Sequence, residues 1–271
     1  MLKRAFLYLF CMASLAGFSQ GHKRNFVQRE LGFFVGGSYY IGDINPRKHF
    51  LASHPAFGVF YRYTNSYRYA FRFGFNYGQI SGDDSKSGEP DQIERNLKFR
   101  SKLYELSAIA EFNFVEYRIG NDKHPFTLYI FAGFAGFYFD PQADIGNGYK
   151  SLPELKTEGQ TKSYSKLQVS VPFGLGLKFN IGDKCGLSFE WGPRRTFTDY
   201  LDDIKGTYPS LAVSNKSFTN RSLDGAAPPG SMRGNPSTRD WYFYYGVALN
   251  IKLRDPHQTC HGRGGRMRSK R

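Results

Sequence analysis

The stretch Lys166-Leu-Gln-Val-Ser-Val-Pro-Phe-Gly-Leu-Gly-Leu-Lys-Phe-Asn-Ile181 decides how the chain folds. From Leu167 to Ile181 every second residue is apolar, and the residues between are polar, Gly or Pro. Period two sends alternate side chains to opposite faces of a β-strand. The run ends at Gly182-Asp-Lys-Cys-Gly186, which reads as a turn. In Tyr69-Ala-Phe-Arg-Phe-Gly-Phe-Asn-Tyr-Gly78 aromatics occupy 69, 71, 73, 75 and 77, and from Trp241 to Leu253 the odd positions are all apolar or aromatic. Eight segments of this kind are predicted, near 30–43, 56–64, 69–83, 99–114, 126–140, 165–181, 186–201 and 238–253. Those at 99–114 and 126–140 alternate less cleanly, and no amphipathic helix of useful length lies between segments.

The connections alternate in length. Residues 64–68, 115–125 and 182–185 are short or moderate. Residues 45–55, 82–98, 141–164 and 203–237 are longer and rich in Gly, Ser, Asp, Asn and Pro. That is the signature of an up-and-down antiparallel barrel, with long loops at one mouth and turns at the other. The number of strands is even, so both ends of the barrel fall at the turn side. The intervening positions hold Gly58, Arg62, Arg72, Gly74, Glu105, Glu111, Gly174, Gly176, Lys178, Glu190 and Arg194. A solvated face would carry few glycines, because Gly weakens a strand and packs nothing. A narrow lumen suits this set, with Gly making room for Arg and Glu to pair. Several segments also exceed the 9–11 residues, roughly, that cross a bilayer as a tilted strand. The expected fold is therefore all-β, an eight-stranded antiparallel transmembrane β-barrel with N- and C-termini in the periplasm. The alternative, a soluble sandwich, would put the apolar face inward. An eight-stranded interior can be filled by side chains, which argues against a conducting pore.

Residues 1–19 read as a secretory signal peptide: Lys3 and Arg4, an apolar run from Ala5 to Leu15, then Gly17 and Ser19 before a cut ahead of Gln20. A lipoprotein anchor at Cys11 would need a small residue where Phe10 stands. Cleavage lowers the formal charge from +14 to +12 by removing two cations. The barrel domain is assigned to 20–253 and a basic periplasmic tail to 254–271. The tail is rich in Arg, and export argues against nucleic acid as its target. Cys185 and Cys260 both fall on the periplasmic side, an oxidising compartment. A disulfide is expected, either between them or from each to a partner; sequence does not give their separation.

The six histidines, 22, 49, 54, 124, 257 and 261, scatter through loops and tails without metal spacing or an Asp partner, so no enzyme, metal or cofactor is predicted. Asp43, Asp83, Asp84, Asp199, Asp202 and Asp203 gather at the outer strand ends. They are expected to cap strands or pair with Arg194 and Arg195; binding of Ca2+ is the alternative.

Several stretches together carry a resemblance. They are Glu30–Asn45, Arg95–Ser101, Glu105–Ala108, Glu111–Phe114, Trp191–Asp203, Arg233–Pro236 and Asp240–Tyr242. They resemble the PorG family, small outer-membrane barrels of the type IX secretion system, across nearly all of residues 30–253. Tyr244–Ile251 also resembles the closing-strand signal of outer-membrane barrels. The resemblance implies a non-enzymatic protein. It would tie a periplasmic ring, built from the lipoprotein PorK and from PorN, to the outer membrane and its lipids. The implied contact surface is the periplasmic face: Asn65, Asn121, Asp183, Lys184 and Cys185 in the turns, and Cys260 in the tail. The alternative function is a small adhesin-like or ligand-binding barrel acting through its outer loops.

Overall fold

A computed structural model describes residues 27–144, 146, 148–209, 216–225 and 227–254. The strands are β1 (Gln28–Ile41), β2 (His54–Thr64), β3 (Tyr69–Asp83), β4 (Lys98–Asn113), β5 (Phe126–Asp144), β6 (Tyr149–Ser151), β7 (Leu167–Asn180), β8 (Cys185–Thr196) and β9 (Trp241–Lys252). All pairings are antiparallel. Eight strands follow one another around the sheet, and β9 pairs back onto β1 from Glu30↔Lys252 to Ile41↔Trp241, which closes the barrel. The short β6 pairs only with the end of β5. Each predicted segment becomes one barrel strand. The one at 186–201 stops early, at Thr196, where the Thr196 hydroxyl donates to the carbonyls of Thr198 and Asp240 and the chain turns into the outer loops. Three short α-helices, Pro90–Arg95, Leu152–Leu155 and Lys216–Thr219, sit in the long connections among the described residues.

The faces of the opening stretch point as predicted. Leu167, Val169, Phe173, Leu175, Leu177, Phe179 and Ile181 are exposed on the outer wall, while Lys178 is buried in the lumen. The same holds for Phe71, Phe73 and Phe75 on β3 and for Leu128, Ile130 and Phe134 on β5. An apolar band of this extent requires lipid around it.

The strands do not keep this polarity throughout. Tyr77, Tyr104 and Tyr138 lie side by side on β3, β4 and β5, in register, with ring centroids 5.3 and 6.3 Å apart. On the turn side of this row the outward residues are apolar. On the loop side they are Gln79, Ser81, Asp83, Lys98, Arg100, Lys102, Asp140 and Gln142, and the inward ones include Ile80, Phe99, Leu103 and Phe139, with Ser101 among them. A row of Tyr at such a change is an interfacial belt. Tyr69 through Tyr77 already supplies the 9–11 residues, roughly, that a crossing strand needs. β3–β5 therefore project beyond the membrane and behave there as a soluble sheet. This explains the imperfect alternation of 99–114 and 126–140: the burial of β4 alternates cleanly, but its polarity inverts at Tyr104.

The lumen is divided in the same way. Its loop-side half is an apolar core of Phe34, Ile80, Phe99, Leu103, Phe137 and Phe139, continuous with Leu152, Leu201, Ile204 and Phe218 from the loops. Its turn-side half holds the charged groups, with Ile109, Tyr129 and Phe131 packed among them.

Candidate functional site

Four cations and four carboxylates from the strands meet in the polar half of the lumen. The Glu111 carboxylate is surrounded by Arg62 Nε at 2.9 Å, Arg72 Nε at 3.1 Å and Lys178 Nζ at 2.6 Å. Arg62 also donates to Glu30 at 2.7 Å and to Asn250 at 2.9 Å. Arg72 donates to Glu190 at 2.7 Å, which accepts from the Tyr129 hydroxyl at 2.8 Å. Nearer the loops, Glu105 accepts from Arg194 at 3.2 Å, Asn76 at 2.9 Å and Tyr242 at 2.9 Å. All eight side chains are buried or nearly so. Charges withdrawn from water are tolerated when they are paired and hydrogen-bonded, and this set is balanced. Glu30 is the member that sequence reasoning did not place in the lumen. The expectation for the glycines changes in detail. A Cβ at Gly176 would meet the Tyr129 ring at 2.6 Å, and one at Gly174 the Phe131 ring at 2.7 Å. They make room for aromatic rings, which in turn flank the cations: Arg72 lies 5.0 and 5.2 Å from the Phe60 and Phe131 ring centres, and Lys178 lies 4.3 Å from that of Tyr129.

The turn-side mouth is closed by the connection 114–125. Tyr117 and Ile119 turn inward and are buried beneath the polar network. The connection is tied to its neighbours by its backbone. Tyr117 N donates to Tyr67 O at 3.1 Å, and the Asn180 amide donates to the carbonyls of Arg118 at 2.9 Å and Asn121 at 3.1 Å. Gly120 has φ +82, and a Cβ there would sit 2.8 Å from Asp183 O. The β7–β8 turn is joined to β9 by Lys252 N→Lys184 O at 2.8 Å, and β9 to β1 by Leu253 N→Arg29 O at 2.8 Å. Asn121, Asp183, Lys184 and Cys185 thus share one surface, with Asn65 in the adjoining β2–β3 turn. Asn65, Asp183 and Lys184 are exposed; Asn121 and Cys185 are partly so. Arg29, Arg68, Arg118, Lys123, Lys184, Lys252 and Arg254 surround this mouth against Glu116, Asp122 and Asp183, a net charge of +4. Cys185 forms no disulfide within the described residues. Cys260, Cys11, residues 1–19 and the tail beyond Arg254 lie outside them.

At the opposite mouth the long loops pack into a cap. The expected pairing of its acids with Arg194 and Arg195 does not occur, because Arg194 points into the lumen to Glu105 and Arg195 is exposed outside. Arg95 takes Asp84 instead, at 2.8 Å, and bonds the carbonyls of Asp43 at 3.0 Å and Arg233 at 2.7 Å. Arg233 in turn lies 3.2 Å from Glu158. The Tyr40 hydroxyl donates to Asp202 and, at 3.3 Å, to Asp240. Burial first, and then the neighbouring carboxylates, push the Asp202 and Asp240 carboxyls well above the usual range. Burial also pushes Asp199 and Asp203 up to about 6. Among the described residues no three His, Cys, Asp or Glu side chains converge to hold a metal. His54 contacts Ser81 Oγ at 2.7 Å and the Gln79 amide at 3.3 Å. His49 contacts the Tyr39 hydroxyl at 3.0 Å. Neither imidazole has a carboxylate among these partners, as a general base in a triad would.

An apolar outer wall, a closed strand ladder and a lumen that holds paired charges define the class: a small transmembrane β-barrel of eight strands. Within that class the chain belongs to the family described as a domain of unknown function (DUF6089), whose profile matches residues 3–261. No curated protein is similar to it at a significant level. Among solved structures it resembles Neisserial surface protein A, with 9% identity and a TM-score of 0.44, covering 83% of this chain and 97% of that one. It also resembles the attachment invasion locus protein Ail of Yersinia pestis, with 12% identity and a TM-score of 0.42, covering 84% and 99%. A third similar structure is the outer membrane protein OprG of Pseudomonas aeruginosa, with 11% identity and a TM-score of 0.35, covering 86% and 98%. These likenesses concern barrel architecture only.

Proposed function

We propose that the protein is a non-enzymatic outer-membrane anchor. Its turn-side mouth holds a periplasmic protein assembly to the barrel, and that assembly is the PorK/PorN ring of the type IX secretion system. The observation that carries this reading is the turn-side mouth itself. Three connections distant in sequence are hydrogen-bonded into one basic plate, beneath a lumen that holds paired charges. Side chains that fill an eight-stranded interior argue against passage of large solutes and favour a role in binding for the mouth. A net positive plate favours an acidic partner surface and speeds its encounter. Deleting the gene should abolish export of type IX cargo while the membrane stays intact. A photo-crosslinking residue at Asn121 or Lys184 should capture PorK or PorN. Normal cargo export in the deletion strain would refute the secretion role.

The loop-side cap favours a second reading, an adhesin-like barrel. Its ion pairs and buried Tyr–Asp contacts hold a defined outer surface rather than loose loops. Under that reading, loss of surface binding accompanies normal secretion.

A further inference from the structure

The loop-side extension of β4 carries three outward cations, Lys102, Arg100 and Lys98, at every second residue after Tyr104. Successive outward residues are about 6.6 Å apart along a strand. The column thus begins at the Tyr belt and rises from the level where lipid headgroups lie. Beneath it the wall continues as Leu106 and Ala108, with Phe73, Phe75 and Phe134 on the flanking strands. A cleft of ≈310 Å3 opens beside the column, lined by Lys86, Lys98, Arg100, His54, Gln79, Ser81 and Gln142 among others. Its carboxylates are already engaged. Asp83 lies 3.3 Å from Lys98 and caps Ser85, and Asp144 accepts from the backbone of Gly146 and Gly148. Nearby, Asp140 is taken by Lys166 at 2.9 Å. Four cations, Lys86, Lys98, Arg100 and Lys102, thus stand against two carboxylates, Asp83 and Asp144, and Lys102 forms no ion pair among the described residues.

We propose that this column and cleft bind the phosphorylated saccharide head of a membrane glycolipid whose acyl chains lie along the wall below Tyr104. Each part of such a lipid has a counterpart. The cations match its phosphates. The Gln79 and Gln142 amides, the Ser81 hydroxyl and the His54 ring offer hydrogen bonds to sugar hydroxyls. The apolar wall matches its chains. A free anion would use only the first of these.

The test is native mass spectrometry of the barrel released from nanodiscs that contain bis-phosphorylated lipid A or its dephosphorylated form. The wild-type chain should retain the phosphorylated lipid preferentially. Lys98→Gln/Arg100→Gln/Lys102→Gln should lower that retention by about 100-fold. Lys184→Gln/Lys252→Gln, with charge removed from the other mouth, should leave it unchanged. The single variant Lys102→Gln, at an exposed position, gives a smaller loss with less risk to folding. Millimolar inorganic phosphate should not displace the lipid. Equal retention of the two lipids by the wild type, an unaffected triple variant, or displacement by inorganic phosphate would each overturn the proposal.

Discussion

The embedded and projecting parts of β3, β4 and β5 are built from the same strands with opposite faces. Below the Tyr77–Tyr104–Tyr138 row, apolar residues face outward and the charged side chains of β3 and β4 face inward; above it charged and polar residues face outward and mostly apolar ones inward. The backbone ladder runs through the row without interruption. The surroundings decide which face is apolar, not the strand. The two parts also bury charge differently. In the lumen every carboxylate faces a cation. In the cap, Asp84 and Glu158 are paired with Arg95 and Arg233, but Asp202 and Asp240 lie together and share the Tyr40 hydroxyl. The Asp202–Asp240 site favours carboxyls that stay protonated.

Removing Glu111 should break the embedded part most severely. Glu111→Ala leaves Arg62, Arg72 and Lys178 buried without their common partner. Breaking a buried pair from one side costs about 3–5 kcal/mol, and urea unfolding followed by heat-modifiable gel mobility should register a loss of that size. Asp84→Ala, which frees Arg95 in the cap, should leave barrel unfolding nearly unchanged and loosen only the loops. Equal losses from the two variants would dissolve the distinction.

A smaller effect separates the two outer surfaces. Phe134 is highly exposed and lies between Phe126 and Tyr138, well inside the apolar band. Phe134→Arg should cost about 2–4 kcal/mol in lipid vesicles, as a cation near the bilayer midplane does. On the same face of the same strand, Gln142→Arg should change stability by about 0.5 kcal/mol or less. A tolerated Phe134→Arg would place the band elsewhere.

The third effect is confined to the cap and depends on pH. A carboxyl whose folded pKa is raised stabilises the fold below its unfolded value, near 4, and loses that contribution as pH rises through the folded value. For Asp199 and Asp203 that value is about 6, and it is higher for Asp202 and Asp240. Tyr40, Asp43, Arg95, Thr157, Glu158, Tyr164, Lys205, Arg233 and Arg239 are among the polar and charged groups around them. From pH 5 to pH 8, amides of 199–205 should exchange with solvent faster, after correction for intrinsic rates, while the lumenal strands do not respond. Asp240→Asn should flatten that dependence. Exchange that slows with rising pH would reverse the sign of the account.

The barrel was legible because lipid imposes a strict rule on every spanning strand. Leu167–Ile181 and Tyr69–Tyr77 show that rule without any partner in view. The lumenal cations were legible for the same reason, since Arg62, Arg72, Lys178 and Arg194 stand at the positions between the outward-facing residues. Glu30 escaped because it opens the expected segment 30–43, whereas the strand itself begins two residues earlier, at Gln28. The cap was not legible. Arg95 and Asp84 lie on separate elements of one long connection, and Arg233 reaches Glu158 from another loop; no local period records such contacts. The turn-side plate was half visible. Its turns could be placed on one side, but the inward fold of Tyr117 and Ile119 depends on tertiary packing. The inversion at Tyr104 first reads as poor alternation, because a single rule was applied along a strand that passes through two solvents.

The claim that unites these observations is that the membrane surface lies at the Tyr77–Tyr104–Tyr138 row. Single cysteines at the outward β4 positions 98, 100, 102, 104, 106, 108, 110 and 112 test it, each in a background without native cysteines and labelled with a fluorophore in lipid vesicles. Labels at 106–112 should be quenched by a lipid-soluble quencher and protected from an aqueous one, and labels at 98–102 should behave oppositely, with the change at 104. Aqueous quenching along the whole strand, or lipid quenching that continues through 98, would contradict it.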